Sequence, residues 1–415
     1  MRVVRINAVY GLASTGRTVK QLDEGLKEYG VDSTTVYFAG KGSERDFCMS
    51  SPASVKLHSA MARLTGKAGY YSAHSTRRLI KYLEGEKPDI VHLHNLHSNF
   101  ISLPLLFSYL AHRGIPAAVT LHDCWWFTGK CTHYTEAGCN RWQEACGNCP
   151  RLKKDIPSLF FDRTEKLLKD KQGFFAAVRP LAVIGVSDWI TNEAKKSILG
   201  DADIIKRVYN WIDTDIFKPT PSDFRERYAV ACGKGEGYMI LAAASQWSES
   251  KGWGAFLRLA ERLDGDMRLV IIGRLPQGGV EALSRLPRVT HIEATDSQSE
   301  LAERYSAADV FVTLSKEESF GKVSAEALAC GTPVITVNST ANPELVGRDC
   351  GLVIEDTEPD TVLGAIGELR HRGKDTMTAA CREFALTGFE KRACIRQVYE
   401  VYTELLKLKG GSGAC

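Results

Sequence analysis

The stretch Ser315-Lys-Glu-Glu-Ser-Phe-Gly-Lys-Val-Ser-Ala-Glu-Ala-Leu-Ala-Cys-Gly-Thr-Pro-Val334 decides the fold. It follows a short apolar run, Val310 to Leu314, and leads into helical spacing before the next apolar run at Pro333 to Val337, so it reads as strand, loop, helix, strand. Seven residues separate Glu318 from Glu326. Glu318 falls in the loop before the helix and Glu326 projects from its second turn, so the two carboxylates can reach different parts of one extended ligand. The same residues would also serve as an ordinary exposed helix start rich in acidic side chains.

Outward from that stretch the pattern repeats. Tyr238 to Ala244, Met267 to Ile272 and Gly351 to Ile354 are further short apolar runs, with helical patterns between them. The first half carries its own series. Arg2 to Tyr10 reads as a buried strand, Gly11 to Gly16 as a small-residue loop, and Thr18 to Tyr29 as a helix with Val19, Leu22 and Leu26 on one side. Runs at Thr35, Asp89, Ala117 and Leu181 follow, with an amphipathic stretch from Leu103 to Arg113. Strands alternating with helices imply α/β architecture with parallel sheets covered by helices. The Asn-, Asp- and Pro-rich segment 210–221 breaks both periodicities, which sets domains of 1–208 and 209–388, with a last helix, 389–408, returning to the first. Gly410-Gly-Ser-Gly reads as a flexible tail.

At 415 residues and 44% hydrophobic content, the chain exceeds one ordinary core, in keeping with two domains. A formal net charge of +3 is too small a field to imply nucleic acid as partner. The start shows no signal-peptide pattern, and the apolar run from Phe174 to Val186 is interrupted by Arg179 and Pro180, so a cytoplasmic protein, soluble or peripheral on the membrane, is expected. Twelve cysteines in so long a chain suit thiols or metal ligands better than a disulfide scaffold.

With the flanking Phe320-Gly321 and Gly331-Thr-Pro-Val334, the Glu318–Glu326 spacing resembles the motif of family-four retaining glycosyltransferases, whose GT-B fold sets two Rossmann-like domains with parallel sheets facing across a cleft. The resemblance covers nearly the whole chain and includes the branch used in bacterial exopolysaccharide, capsule or lipopolysaccharide assembly. It implies a nucleotide-sugar donor and a saccharide acceptor, in this branch a lipid-linked one, with no catalytic metal. It assigns Glu318 to the donor sugar and Glu326 to the nucleotide ribose, with Ser319, Phe320, Gly321, Lys322 and Val323 placing amides against sugar and pyrophosphate at the positive helix end. In Ala242-Ala-Ala-Ser-Gln-Trp-Ser-Glu-Ser-Lys-Gly-Trp253, Lys251 takes the place of a cation that neutralises the pyrophosphate, a solvated surface charge being the alternative. The family's preceding Arg is replaced by Ser245 or Gln246, and Arg274 in Ile271-Ile-Gly-Arg-Leu275 is a candidate substitute, with a structural or exposed role as the alternative. In Gly11-Leu-Ala-Ser-Thr-Gly-Arg17, the Gly16 region matches the family's first loop, where backbone amides approach the sugar or simply make a tight turn. His122, ending the strand Ala117 to Leu121, matches a His beneath the reacting sugar; a structural histidine is the alternative.

Directly after His122 the chain becomes rich in cysteine over 124–150. Cys131, Cys139, Cys146 and Cys149 form a possible structural zinc set, with His133 or Cys124 as substitutes, and disulfides or free thiols as alternatives. Such a staple is expected to order Trp125, Trp126 and Tyr134 for stacking on acceptor sugars. Val55 to Tyr82 carries Lys56, Arg63, Lys67, Arg77, Arg78 and Lys81 among apolar residues, which suits either anionic lipid on the inner membrane face or a solvated surface. Two competing functions remain at this level. One is a non-catalytic saccharide-binding or assembly protein on the same scaffold; the other, a Rossmann oxidoreductase, lacks the Gly-x-Gly-x-x-Gly fingerprint after the first strand.

Overall fold

A computed structural model of the chain describes residues 1–226, 237–295 and 297–411. Residues 412 and 413 of the terminal glycine-rich segment lie outside the described residues. The chain divides into two compact units, Met1–Tyr209 joined by the segment from Arg392, and Asn210–Lys391.

In the first unit seven strands run parallel in the order β5 (Phe47–Cys48), β3 (Asp32–Tyr37), β1 (Arg2–Ile6), β6 (Ile90–Leu93), β7 (Ala117–Leu121), β8 (Leu181–Gly185) and β9 (Ile204–Arg207). The short pair β2 (Val9–Tyr10) and β4 (Ala39–Gly40) lies outside that sheet. In the second unit six strands run parallel in the order β12 (Val289–Ile292), β11 (Met267–Arg274), β10 (Tyr238–Gln246), β13 (Val310–Thr313), β14 (Val334–Val337) and β15 (Gly351–Ile354). β6, β7, β8, β13 and β14 are buried along their whole length, which is why they read as continuous apolar runs. Each sheet reverses its winding once, between β1 and β6 and between β10 and β13. Open α/β sheets hold ligands at the carboxyl ends of strands at such a reversal.

Several boundaries differ from the sequence reading. The first strand stops at Ile6, because the Asn7 side chain accepts from Asn95 N at 3.1 Å and donates to Val9 O at 2.7 Å, diverting the chain into β2. The helix after it begins at Ala13, so Gly16 sits in its first turns and not in a loop. Gly16 allows that early start: a Cβ there would stand 3.0 Å from Val9 Cγ2 and 3.2 Å from Val9 O. β9 and β12 were missed because each is a half-buried edge strand carrying charged or polar residues among its Ile and Val. The basic stretch 55–82 belongs to two helices, Pro52–Thr65 and Ala73–Glu86. The terminal helix runs Lys391–Gly411 and buries Val401, Tyr402 and Leu405 in the first unit. Among the described residues no helix is long and apolar enough to cross a membrane.

Candidate functional site

In the second unit the residues after β10 and β13 converge at the winding reversal. Gly252 makes this possible. Its φ is +79°, and an added Cβ would lie 2.5 Å from Leu314 O, so only glycine lets the loop press against the end of β13. Lys316 N donates to Ser250 O at 2.9 Å and ties the loops together. The result is an ion pair between Lys251 Nζ and Glu318 Oε1, with the lysine about one-third exposed and the carboxylate mostly covered. Lys251 and Glu318, 67 residues apart in the chain, thus meet at one point.

The segment from Ser315 is held from below. Asn342 Nδ2 donates to Ser315 O at 2.8 Å in the interior, and Glu318 N donates to Thr340 Oγ1 at 2.9 Å. Gly321 caps the helix Lys322–Ala329 at φ +91°, where a Cβ would strike Leu345 Cδ1 at 2.7 Å. Glu326 lies in the second turn, 8% exposed, and accepts from Tyr305 Oη at 3.1 Å. Burial and the neighbouring Glu326 carboxylate push the Tyr305 hydroxyl well above its usual range, so it remains a donor to that carboxylate. Ser319 Oγ is buried and has no hydrogen-bond partner among the described residues, an unmet polar atom beside Glu318. Phe320 is buried, and Lys322 and Val323 occupy the first helical positions.

Gln246 and Arg274 stand side by side in the β10–β11 register. Arg274 is exposed and lines an open cavity with Pro276, Gly278, Glu281 and Glu293. Glu281 and Glu293 give that cavity an acidic wall beside the guanidinium.

In the first unit, His122 follows β7 and is half-buried. Its Nε2 lies 3.1 Å from Nδ1 of His94, the residue after β6. The neighbouring Asp123 accepts from Trp125 N at 2.9 Å and pairs with His97 Nε2 at 3.0 Å. Burial works to raise the Asp123 pKa, but His97 and the Trp125 amide outweigh it and hold the carboxyl below its usual range. His94 and His97 belong to no local motif. The signals for them were the two-residue spacing of His92 and His94 on one strand face and the Asp beside His122.

The cysteine-rich insertion is organised differently from expectation. Trp125, Trp126 and Tyr134 are 2%, 1% and 4% exposed, so they fill the interior and offer no stacking face to sugars. Two buried lysines hold the backbone. Lys171 Nζ donates to Trp125 O and Thr128 O and sits 3.9 Å from the Trp125 ring centre, while Lys130 Nζ donates to the carbonyls of Arg151, Leu152 and Lys154 at 2.7–2.8 Å. Cys131, Cys139, Cys146 and Cys149 line one small cavity with Trp142. The neighbouring Cys131 thiol holds the Cys149 thiol below the ordinary cysteine range, and Cys146 Sγ accepts from Gly129 N at 3.3 Å. Among the described residues no group of three His, Cys, Asp or Glu side chains is placed so that it could hold a metal ion.

Comparisons with known proteins bear on both units. Residues 15–216 match the profile described as Glycosyltransferase Family 4, and residues 237–372 match Glycosyl transferases group 1. WcaC of Escherichia coli (strain K12), named as a colanic acid biosynthesis glycosyl transferase, is 23% identical over 377 residues, covering 86% of this chain and 88% of that protein. Among solved structures, sucrose-phosphate synthase from Thermosynechococcus elongatus matches with a TM-score of 0.70 at 16% identity, over 98% of this chain and 99% of that one. HepE from Anabaena, solved in complex with UDP and glucose, matches with a TM-score of 0.66 at 15% identity, over 98% and 100%. At these identities the solved structures speak to the fold.

Proposed function

Because the chain belongs to the family-four glycosyltransferases, we propose that it moves a sugar, with retention of anomeric configuration, from a nucleotide-sugar donor to a lipid-linked saccharide acceptor in surface-polysaccharide assembly. The observation that carries this reading is the Lys251–Glu318 ion pair beside the helix Lys322–Ala329. A carboxylate next to an ammonium and a helix N-terminus offers acceptors for sugar hydroxyls and positive potential for a diphosphate in one place.

Each residue then has a role on the donor. Glu318 accepts from a sugar hydroxyl, Glu326 from the ribose, and the unpartnered Ser319 Oγ and the amides from Phe320 to Val323 meet sugar and phosphate. Lys251 exchanges part of its bond to Glu318 for the diphosphate as charge builds on the leaving group. Arg274 is the second cation, supplying what Ser245 and Gln246 lack. In the first unit, the turns around Gly16 approach the transferring sugar, and His122 hydrogen-bonds one of its hydroxyls. Surface polysaccharide as the product class draws support from the name of WcaC, and a UDP-linked sugar as first donor to test from the ligand of HepE.

A membrane-bound acceptor also fits the surface of the first unit. Leu57 and Leu64 are exposed on the helix Pro52–Thr65 at 67% and 45%, and Phe160 is 70% exposed in a loop joined to that helix by Leu159 N donating to Arg63 O at 2.8 Å. Lys56 and Arg63 flank these side chains, an apolar face with a basic rim suited to anionic lipid.

The test is release of nucleoside diphosphate from a panel of nucleotide sugars, with and without lipid-linked acceptors, and the anomeric form of the product read by NMR. One donor should turn over with retained configuration. An inverted product overturns the retaining assignment, and absence of turnover with every donor leaves only the non-catalytic binding role.

A further inference from the structure

β6 and the residue after it set His92 and His94 two positions apart, and the strand period turns both rings to the same face. Neither side chain takes part in the reading above. Both are buried. The His94 backbone is pinned on two sides, its N–H donating to Ile6 O at 3.0 Å and its carbonyl accepting from Trp126 Nε1 at 2.9 Å. Its neighbour His92 is fixed by the Tyr402 hydroxyl at 2.6 Å from Nδ1 and the Thr120 hydroxyl at 2.7 Å from Nε2. The His92 ring packs 4.1 Å from that of His94, centre to centre. On the other side, His94 and His122 stack at 5.3 Å with Nδ1 of the first facing Nε2 of the second. Among the described residues, buried His94 Nε2 has no hydrogen-bond partner.

Burial, then the nearby His92, His122 and Arg5, push His94 well below the ordinary histidine range, so its ring is neutral and carries one proton. On Nε2 that proton would make a buried N–H with no acceptor, the costlier orphan. On Nδ1 it has His122 Nε2 to donate to.

We propose that His94 is a positioning residue for sugar transfer: its Nδ1–H donates to Nε2 of His122, fixing the orientation of that ring and confining the His122 proton to Nδ1. The inference rests on the reading that His122 touches the donor sugar. A histidine's tautomer is set by the hydrogen bond its other nitrogen makes, so a neutral neighbour with one proton dictates which nitrogen of His122 can donate. The sugar then meets a ring with one defined donor, held by a chain that runs back through His92 to Tyr402.

The experiment uses the full chain with ¹⁵N-labelled histidine and a donor-turnover assay. In the wild type, NMR should show His122 as the Nδ1–H tautomer. His94→Leu should give a mixture of tautomers, with kcat lower by about tenfold to a hundredfold and donor KM within about threefold. His94→Asn, which keeps an amide N–H near the Nδ1 position, should restore both tautomer and kcat to within about threefold of wild type. A wild-type spectrum showing His122 protonated on Nε2 overturns the proposal without any variant, as does wild-type kcat in His94→Leu. His122→Ala separates the two claims: full turnover there refutes the role of His122, while the spectrum still decides the hydrogen bond from His94.

Discussion

Replacing Lys251 with Met should separate the rate of transfer from the stability of the fold. In the structure the ammonium pairs with the Glu318 carboxylate at a site where the lysine is about one-third exposed. Ion pairs of that kind stabilise a protein by about 1 kcal/mol at most, because solvent screens the attraction and two side chains lose freedom. The loss of the pair itself should therefore move Tm by only a few degrees. The effect on transfer is of another size. As the donor bond breaks, negative charge gathers on the diphosphate, and a unit charge about 4 Å from the ammonium at an effective dielectric near 20 gains roughly 4 kcal/mol. Removing one preorganised donor to such charge costs about 10²- to 10³-fold in kcat, or roughly 3–4 kcal/mol. Steady-state release of nucleoside diphosphate, measured beside thermal melts of the same samples, reads both quantities. A kcat within threefold of wild type would refute the assignment of Lys251 to the leaving group, as would a rate loss fully tracked by unfolding.

Gly321→Ala should destabilise by about 1–3 kcal/mol in urea melts, since the new Cβ meets Leu345 Cδ1 at 2.7 Å on a left-handed backbone, and an unchanged midpoint would refute the close approach. Arg274→Ala should raise donor KM and lower kcat by roughly tenfold or more if this side chain is the second cation; unaltered kinetics assign it to the surface. Burial drives the Lys171 ammonium from its ordinary 10.5 down to about 7. Between about pH 7 and 10 the unfolded chain holds a proton the folded chain has released, so stability rises with pH across that window, and the full penalty of the buried charge applies below it. Lys171→Met should abolish that rise relative to wild type, and parallel pH profiles of the urea midpoint would contradict it. Co-sedimentation with phosphatidylglycerol vesicles should fall at least tenfold in Phe160→Asp combined with Arg63→Asp, and equal binding would remove this face as the lipid contact.

What was legible in the sequence was whatever depends on neighbours along the chain. The runs that became β6, β7, β13 and β14 are continuous because both faces of a central parallel strand are covered, and the spacing of Glu318 and Glu326 needs only a loop followed by a helix. The edge strands β9 and β12 escaped detection for the converse reason, since half-exposed backbone tolerates Lys206, Arg207 and His291 without an apolar signature. Trp125 and Trp126 were misjudged because an aromatic residue next to a catalytic candidate looks the same in sequence whether it faces a ligand or fills a core. Only their burial under Phe107, Phe175 and Lys171 tells the two apart.

The same reasoning explains why His122 can be read from the sequence and His94 cannot. His122 can be matched to a motif because it ends a strand in Leu121-His-Asp, a local string. The bond to His94 crosses 28 residues, and the support behind it reaches 310 residues further, to Tyr402 on the returning helix. No window along the chain contains that relation. The groups that touch substrate are confined by local chemistry and so can be read locally, whereas the groups that orient them are chosen by the sheet register that sets β6 between β1 and β7. A substitution at Tyr402 should accordingly act through His92, altering its ring orientation and turnover together, although the residue lies in a terminal helix with no motif of its own. Tyr402→Phe removes only the hydroxyl bonded at 2.6 Å and should leave the helix packed. Its measurable consequence is a shift of the His92 ring resonances with a modest loss of kcat, and unchanged His92 spectra would cut the chain of support at its first link.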